Sequence, residues 1–600
     1  MSAPRSIPAP QRQWPYWLIL AVVALSVHVA FVAESNRHTL FQIPVIDAAS
    51  YHKQALAIVQ GTTPAHRAFW QPPLYPYWLA AVYTVTSPDV AVARYAQGIF
   101  LVLIAWLTFA IGRRIAGTTV AFVAALLVCG YGPLVFFLGM LLPNGMATAL
   151  DMLVVLGMLR LVERPTAGRA LFCGATFGCA ALAVPTILFV LPLVGGWLLL
   201  RADRTRALRE NLVVGALLAT GLGACLAPVA LRNRVVSGES VLISSNGGIN
   251  CYIGNNPQAE ATEAIRPGDD WDGLVALPFR AGARTDAAAD AWFYRQAARY
   301  MIDDPAGFVA GLGRKAARFW NAREIPRNVS VDYLSSLSPV LRPLVWRCGG
   351  LAFPFGILGA LGIFGLCTTL RGRRDRCLVA GFVVLYALAV ILFFPASRYR
   401  LPIIPPLLIF AVLGAQQLVA AVRQGGARRY LNVGLLLGIG ALVNPTVRAP
   451  TDGLRLDTEL HVDVGVGLQI RGRQAEALQQ YATALALDPQ CVDAYYYRGT
   501  MHRDMHKPDD AIADFRQCLA LHADHKRAMH DLAVLLFEEK HLPDEASTLL
   551  RAVIAQHPDD RQAMINLAIL LTRTGHRAEA ASWLKQAQAV PESPAGRKAE

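Results

Sequence analysis

Apolar runs fill the first three quarters of this 600-residue chain, and after about residue 450 they give way to a shorter, regularly repeating pattern. A helix crosses a bilayer with about 20 largely apolar residues. Runs of that kind occur at 15–33, 92–112, 118–138, 145–162, 210–230, 348–369, 377–394, 401–422 and 430–445. The run at 170–200 is interrupted at Pro185 and predicts two short spans meeting at a turn, which brings the expectation to about 11 transmembrane helices. The stretch 74–86 is too short to cross comfortably and predicts a helix lying along the outer face. Before it, Asp47 is placed to cap a short helix in which Tyr51 and Ala55 follow at one-turn spacing and Gly61 ends the turn sequence.

Basic residues in short loops mark the cytoplasmic side of a membrane protein. With the N-terminus inside, the clusters Arg113-Arg114, 160–169, 201–209, 371–376 and 423–429 all fall inside. The other face then collects 47–76, Arg94, Asn144, Pro185, the long loop 232–347, 397–400 and the C-terminal tail. No glycine-rich phosphate loop or nucleotide fingerprint occurs in the cytoplasmic loops, so energy for a synthesis outside has to arrive in an activated, membrane-soluble substrate.

The formal charge of +14 reads as arginines at span ends, which argues against nucleic acid as the partner. The ten cysteines include five in apolar segments and form no CxxC or Cys/His spacing, so neither a zinc site nor a disulfide framework is expected. Residues 1–14 carry only Arg5 and Arg12 as charged groups and lead into a span expected to be retained. His52 and His66 alone make too small a metal site, and Asp269-Asp270-Trp271-Asp272 reads as a solvated acidic loop; neither a metal nor a cofactor is expected.

In the tail, Ala477, Ala511, Ala546 and Ala580 recur at intervals of 34, 35 and 34 residues, the tetratricopeptide period. Tyr481, Phe515, Leu550 and Leu584 follow four residues on, Pro489 and Pro558 close the first and third units, and Gly465, Gly499, Ala533 and Ala568 hold the small-residue positions. About four such units predict a solenoid that binds a protein partner. The expected fold class is therefore an all-α polytopic membrane protein with a repeat solenoid. Its parts are an N-terminal transmembrane region (1–231, first outer loop 34–91), an extracytoplasmic loop domain (232–347), further transmembrane helices (348–446) and the repeats (458–594).

The outer-face motifs are Asp47-x3-Tyr51-x3-Ala55 with Gly61, the stretch 71–76 (QPPLYP), 246–257 (NGGINCYIGNNP), 314–326 (RKAARFWNAREIP) and 397–402 (SRYRLP). Together they resemble glycosyltransferase family 39, the GT-C fold relatives of dolichyl-phosphate-mannose-protein mannosyltransferases, in a bacterial branch carrying C-terminal tetratricopeptide repeats. The resemblance implies a multi-pass protein of the bacterial inner membrane. It implies transfer of a sugar from a polyprenyl-phosphate donor to a protein, glycan or lipid acceptor outside, with inversion. On that reading Asp47 is the general base. Arg398, Arg400 and Arg94 are the expected phosphate-holding cations, and Tyr51, His52, Gln71 and Asn144 are the remaining expected substrate contacts. Two positions depart from the family pattern: Asn144 stands where many relatives carry glutamate, and Val184 where an arginine precedes the proline. The alternative reading is a non-catalytic membrane scaffold in which the repeats do the work. A transporter is disfavoured because charges sit at span ends, Asp151 excepted.

Overall fold

A computed structural model describes residues 13–63, 67–200 and 206–590; Arg5, Arg12, His66 and part of the basic loop 201–209 lie outside them. The described chain is almost wholly helical. Its sheet content is one antiparallel ribbon that pairs Trp346–Cys348 with Leu351–Phe353. Contacts divide the chain into two compact units, Met1–Leu454 and Arg455–Glu600.

Among the described residues of the first unit, six helices are long and apolar enough to cross a membrane: Trp14–Ser35, Val90–Ala116, Asn144–Glu163, Arg209–Ser237, Arg374–Leu392 and Ser397–Gln424. A seventh candidate is Thr118–Cys129 with Gly132–Leu138, bent by 54° at the break. The remaining expected spans are helical but shorter or more polar. Ala167–Ala183 and Pro185–Trp197 are separated at Val184, which is extended, and Phe355–Thr369 starts seven residues later than the apolar run because the ribbon occupies its beginning. The 12-residue helix Leu74–Val85 buries Tyr75, Leu79 and Tyr83 on one side and exposes Tyr77 and Val85 on the other.

Inside a membrane no hydrophobic force draws helices together, so close backbone approach at small residues sets the packing. The helices Ala167–Ala183 and Arg206–Ser237 form such a seam. A Cβ on Gly174 would stand 1.9 Å from the Leu218 carbonyl oxygen, and one on Gly221 would stand 2.2 Å from that of Leu171. Gly365 meets Phe410 in the same way, at 1.9 Å from its carbonyl. Gly174→Ala is expected to destabilise the protein by about 1–3 kcal/mol, the usual scale of overpacking, read as a lower thermal unfolding midpoint in detergent.

The loop domain is pinned to the membrane part by its asparagine-rich motif. Lys315, 3% exposed, donates to the carbonyls of Gly254 (3.0 Å) and Phe393 (3.0 Å) and to Asn255 Oδ1 (2.9 Å). Asn255 Nδ2 donates to the Leu392 carbonyl at 2.7 Å. These groups satisfy carbonyls left open at the C-terminal end of Arg374–Leu392, where a cation is also favoured by the helix dipole. Burial pushes the Lys315 ammonium down to about 8, with Glu263 pulling the other way. A second clamp joins the segment 321–328 to the membrane part: Ala322 N–H donates to the Val443 carbonyl (2.8 Å), and Ser397 N–H donates to that of Ile325 (3.0 Å). The two clamps hold residues 392–393 and Ser397, just ahead of Arg398.

In the second unit, four helix pairs follow the predicted period, from Leu456–Ile470 with Gln474–Leu487 to Arg561–Arg573 with Arg577–Ala589. Ala477, Ala511 and Ala546 are fully buried. The small-residue positions are needed for close approach: a Cβ on Gly465 would come within 2.5 Å of the Tyr481 ring, and one on Gly499 within 2.7 Å of the Phe515 ring.

Candidate active site

Asp47 lies in the first turn of the helix Ile46–Gln60 and does not cap it; the cap position is Val45, with no side-chain cap bond. The residue before Asp47, Ile46, has φ 51°, a left-handed backbone that a β-branched residue adopts only when its surroundings impose it. The carboxylate explains the difference from a cap, because it turns away from its own helix toward two distant segments. Its Oδ2 accepts from Arg398 Nη1 at 2.8 Å and from Asn328 Nδ2 at 2.7 Å. Oδ1 accepts no hydrogen bond among the described residues, and the side chain is 30% exposed. One oxygen is thus held while the other stays open.

Burial alone would raise the Asp47 carboxyl. Arg398, its hydrogen bond and that of Asn328, and the nearby charge of Arg327 outweigh burial and hold the carboxyl below the ordinary carboxylate range. Tyr51, one turn further on the same helix face, packs edge-on against Tyr75 with ring centroids 5.3 Å apart. Burial, reinforced by the charge of Asp47, pushes its phenol well up, so it stands there as a neutral hydroxyl.

Arg398 is 11% exposed and sits over the Tyr399 ring, 4.9 Å from its centroid, while its Nη2 donates to the Tyr399 hydroxyl at 2.9 Å. Its Nε is buried without a hydrogen-bond partner among the described residues. Asn144 Nδ2 donates to the Arg398 carbonyl at 3.2 Å, so the asparagine supports the backbone of this arginine. Arg327 brings a second guanidinium to the group, held by the Glu263 carbonyl and lying 5.1 Å from the Phe394 ring centroid.

Four expected site residues are therefore gathered here: Asp47, Tyr51, Asn144 and Arg398. Two others hold together the segment that carries Asp47 and the helix after it. His52 Nδ1 pairs with the Tyr83 hydroxyl at 2.6 Å, and Gln71 Oε1 accepts from Gln54 Nε2 at 2.7 Å. Two of the three expected phosphate-holding arginines are spent inside the protein. Arg94, 1% exposed, donates to the carbonyls of Gly139 (2.6 Å) and Phe41 (3.4 Å) and to Asn36 and Ser35. Arg400 donates to Glu324 Oε1 (2.8 Å) and to the Phe319 and Asn321 carbonyls, 3.8 Å from the centroid of Phe355. Their donors are committed, and a phosphate would have to break several bonds to reach either one.

Sequence reasoning missed Arg327 and Asn328. The signal lay two residues beyond the motif 314–326, whose Ile325 carbonyl is bonded to Ser397 and so carries the next residues to Asp47. Among the described residues no group of three or more His, Cys, Asp or Glu side chains is arranged to hold a metal ion. His66, the suggested companion of His52, and the side chain of Asp269 are outside what the structure describes.

Comparison with known proteins gives two family matches within the chain: dolichyl-phosphate-mannose-protein mannosyltransferase over residues 70–231 and tetratricopeptide repeat over 539–594. Asp47, Asn328 and Arg398 lie outside the first of these segments. Two curated relatives match over short stretches. DnaJ homolog subfamily C member 3 of Mus musculus is 33% identical over 87 residues, 14% of this chain and 17% of that protein. UDP-N-acetylglucosamine--peptide N-acetylglucosaminyltransferase of Giardia intestinalis is 36% identical over 53 residues, 9% of this chain and 4% of that protein. The chain thus spans less than a fifth of the length of the curated relatives it matches. Among solved structures, a crystal structure of MamA is 21% identical, covering 23% of this chain and 81% of that one, with a TM-score of 0.22. YrrB, described as a TPR protein with an unusual peptide-binding site, is 18% identical over 30% of this chain and 84% of that one, with a TM-score of 0.21. The chain therefore carries, in this order, a segment that matches the dolichyl-phosphate-mannose-protein mannosyltransferase family and, at its C-terminal end, tetratricopeptide repeats.

Proposed function

We propose that this protein is an integral membrane glycosyltransferase that moves a sugar from a polyprenyl-phosphate donor to an acceptor at the extracytoplasmic face, with Asp47 as general base. The observation that carries this reading is the arrangement at Asp47. A carboxylate is held through Oδ2 by a guanidinium and an amide while Oδ1 remains open, on a chain with a mannosyltransferase-family segment. In the reaction, Oδ1 takes the proton of an acceptor hydroxyl as its oxygen bonds to the anomeric carbon. The bond from that carbon to the phosphate oxygen breaks from the opposite side, and its electron pair leaves on the phosphate, so the configuration inverts. Arg398, with Arg327 beside it, meets the charge that grows on the departing phosphate. The repeats recruit a protein, either the acceptor or an assembly partner. In this reading the N-terminus is cytoplasmic, and the outer loops and repeats face the periplasm of a bacterial inner membrane.

The test uses membranes containing the wild-type protein and radiolabelled polyprenyl-phosphate sugars, with label followed into protein, glycan and lipid fractions. Transfer dependent on the protein supports the reading and names the sugar. Absence of transfer from every donor, with a protein still captured by the repeats, overturns it in favour of a scaffold.

A further inference from the structure

Arg398 faces two claims on one guanidinium. In the structure its Nη1 is bonded to Asp47 at 2.8 Å and its Nη2 to Tyr399 at 2.9 Å. The phosphate reading, on which this inference rests, needs the same guanidinium for the donor. Asn328 differs in kind: its amide is neutral, it reaches the same oxygen of Asp47 at 2.7 Å, and it arrives from the outer domain, 281 residues away in sequence. We propose that Asn328 is the positioning residue of Asp47, and that donor phosphate draws Arg398 away from the carboxylate while Asn328 keeps Oδ2 in place.

Three observations support this. Both bonds end on Oδ2, so loss of one leaves the other to fix the orientation of Oδ1. Arg398 has a buried Nε with no hydrogen-bond partner among the described residues, so its donors are not yet fully used. Asn328 is held independently of Arg398, because Arg266 donates to the Arg327 carbonyl at 2.8 Å and to the Asn328 carbonyl at 3.1 Å. The charged and titratable groups around the Asp47–Arg398 pair are Tyr399, Arg327 and Tyr51. Of the bonds that favour the charged carboxylate, the one from Arg398 is lost to the phosphate and the one from Asn328 stays. The base therefore becomes more basic once the donor is bound, and stays aimed.

The consequence for binding has an unusual sign. Asp47 competes with phosphate for Arg398, so removing its charge helps the ligand. Purified full-length protein is titrated with a polyprenyl phosphate in lipid nanodiscs. Asp47→Asn is expected to bind it about fivefold more tightly than wild type, the scale of one partly exposed ion pair, although it transfers no sugar. Equal or weaker binding by Asp47→Asn overturns the competition. No binding by wild type overturns the glycosyltransferase reading itself and this proposal with it, a distinguishable result.

For Asn328, the readout is the pH profile of transfer. Asn328→Ala, and the near-isosteric, uncharged Asn328→Leu if the alanine variant accumulates poorly, are expected to transfer about tenfold more slowly. The acid limb should move to higher pH, because a hydrogen bond that favours the charged carboxylate is gone. Polyprenyl phosphate affinity should stay close to that of wild type in Asn328→Ala. A slower rate with an unmoved acid limb would assign Asn328 a structural role only.

Discussion

Replacing Asp47 by asparagine should lower sugar transfer by at least about a hundredfold, the lower end of what a positioned general base contributes. The variant keeps the shape of the side chain and, through its amide oxygen, an acceptor for Asn328, so the protein should accumulate normally. What disappears is the open Oδ1 that receives the acceptor proton. The wild-type pH profile makes the same point from the other side. The carboxyl is held below the ordinary carboxylate range. Its base form is therefore present throughout the neutral region, and kcat/KM for the donor, which reports the free enzyme, should fall only as the pH drops through that lowered value. A profile whose acid limb lay near neutrality would assign the proton to another group, and an Asp47→Asn variant with undiminished transfer would remove Asp47 from the reaction.

The second large effect is on stability and belongs to Arg400. This arginine and Glu324 are each 4% exposed and bonded at 2.8 Å. Removing one partner of a buried ion pair strands the other charge, and Arg400→Ala should cost about 3–5 kcal/mol. Thermal unfolding in detergent would show it as a fall of the midpoint and a loss of folded protein. Replacing both partners with apolar residues of similar volume, Arg400→Met with Glu324→Leu, should recover much of the loss, since no buried charge is then left alone. Arg398 is different. At 11% exposure, with Asp47 at 30% and Asn328 still bonded to it, its loss should lower the midpoint less than Arg400→Ala does and should also remove polyprenyl phosphate binding. Two arginines separated by one residue thus give different phenotypes.

That contrast marks the limit of what could be read from the sequence. The helical membrane part was legible from its long apolar runs and the repeats from their period, and both signals survive without knowledge of neighbours. The gathering of residues around Asp47 was partly legible, since Asp47 and Arg398 sat in recognisable motifs. Arg94, Arg398 and Arg400 looked alike because an arginine at a span end carries no local sign of its partners. What separates them is Glu324, Asn36 and the carbonyl of Gly139, all remote in sequence. Asn328 was invisible for the same reason: an asparagine in a loop reads as a turn former, and its partner is 281 residues away. The span count suffered from a different cause. Apolar runs fix where helices lie, but Phe355–Thr369 and the pair divided at Val184 are too short for length alone to decide that they cross.

The left-handed backbone at Ile46 has a consequence in time. Arg398 follows Asp47 by 351 residues. At about 5–20 residues per second, Arg398 is synthesised on the order of 20–70 s after Asp47 has left the ribosome. Throughout that interval neither Arg398 nor, for most of it, Asn328 exists to hold the carboxylate, and Ile46 has no reason to stay in an unfavourable conformation. The start of the helix that carries Asp47 is therefore set only when the last third of the membrane part arrives.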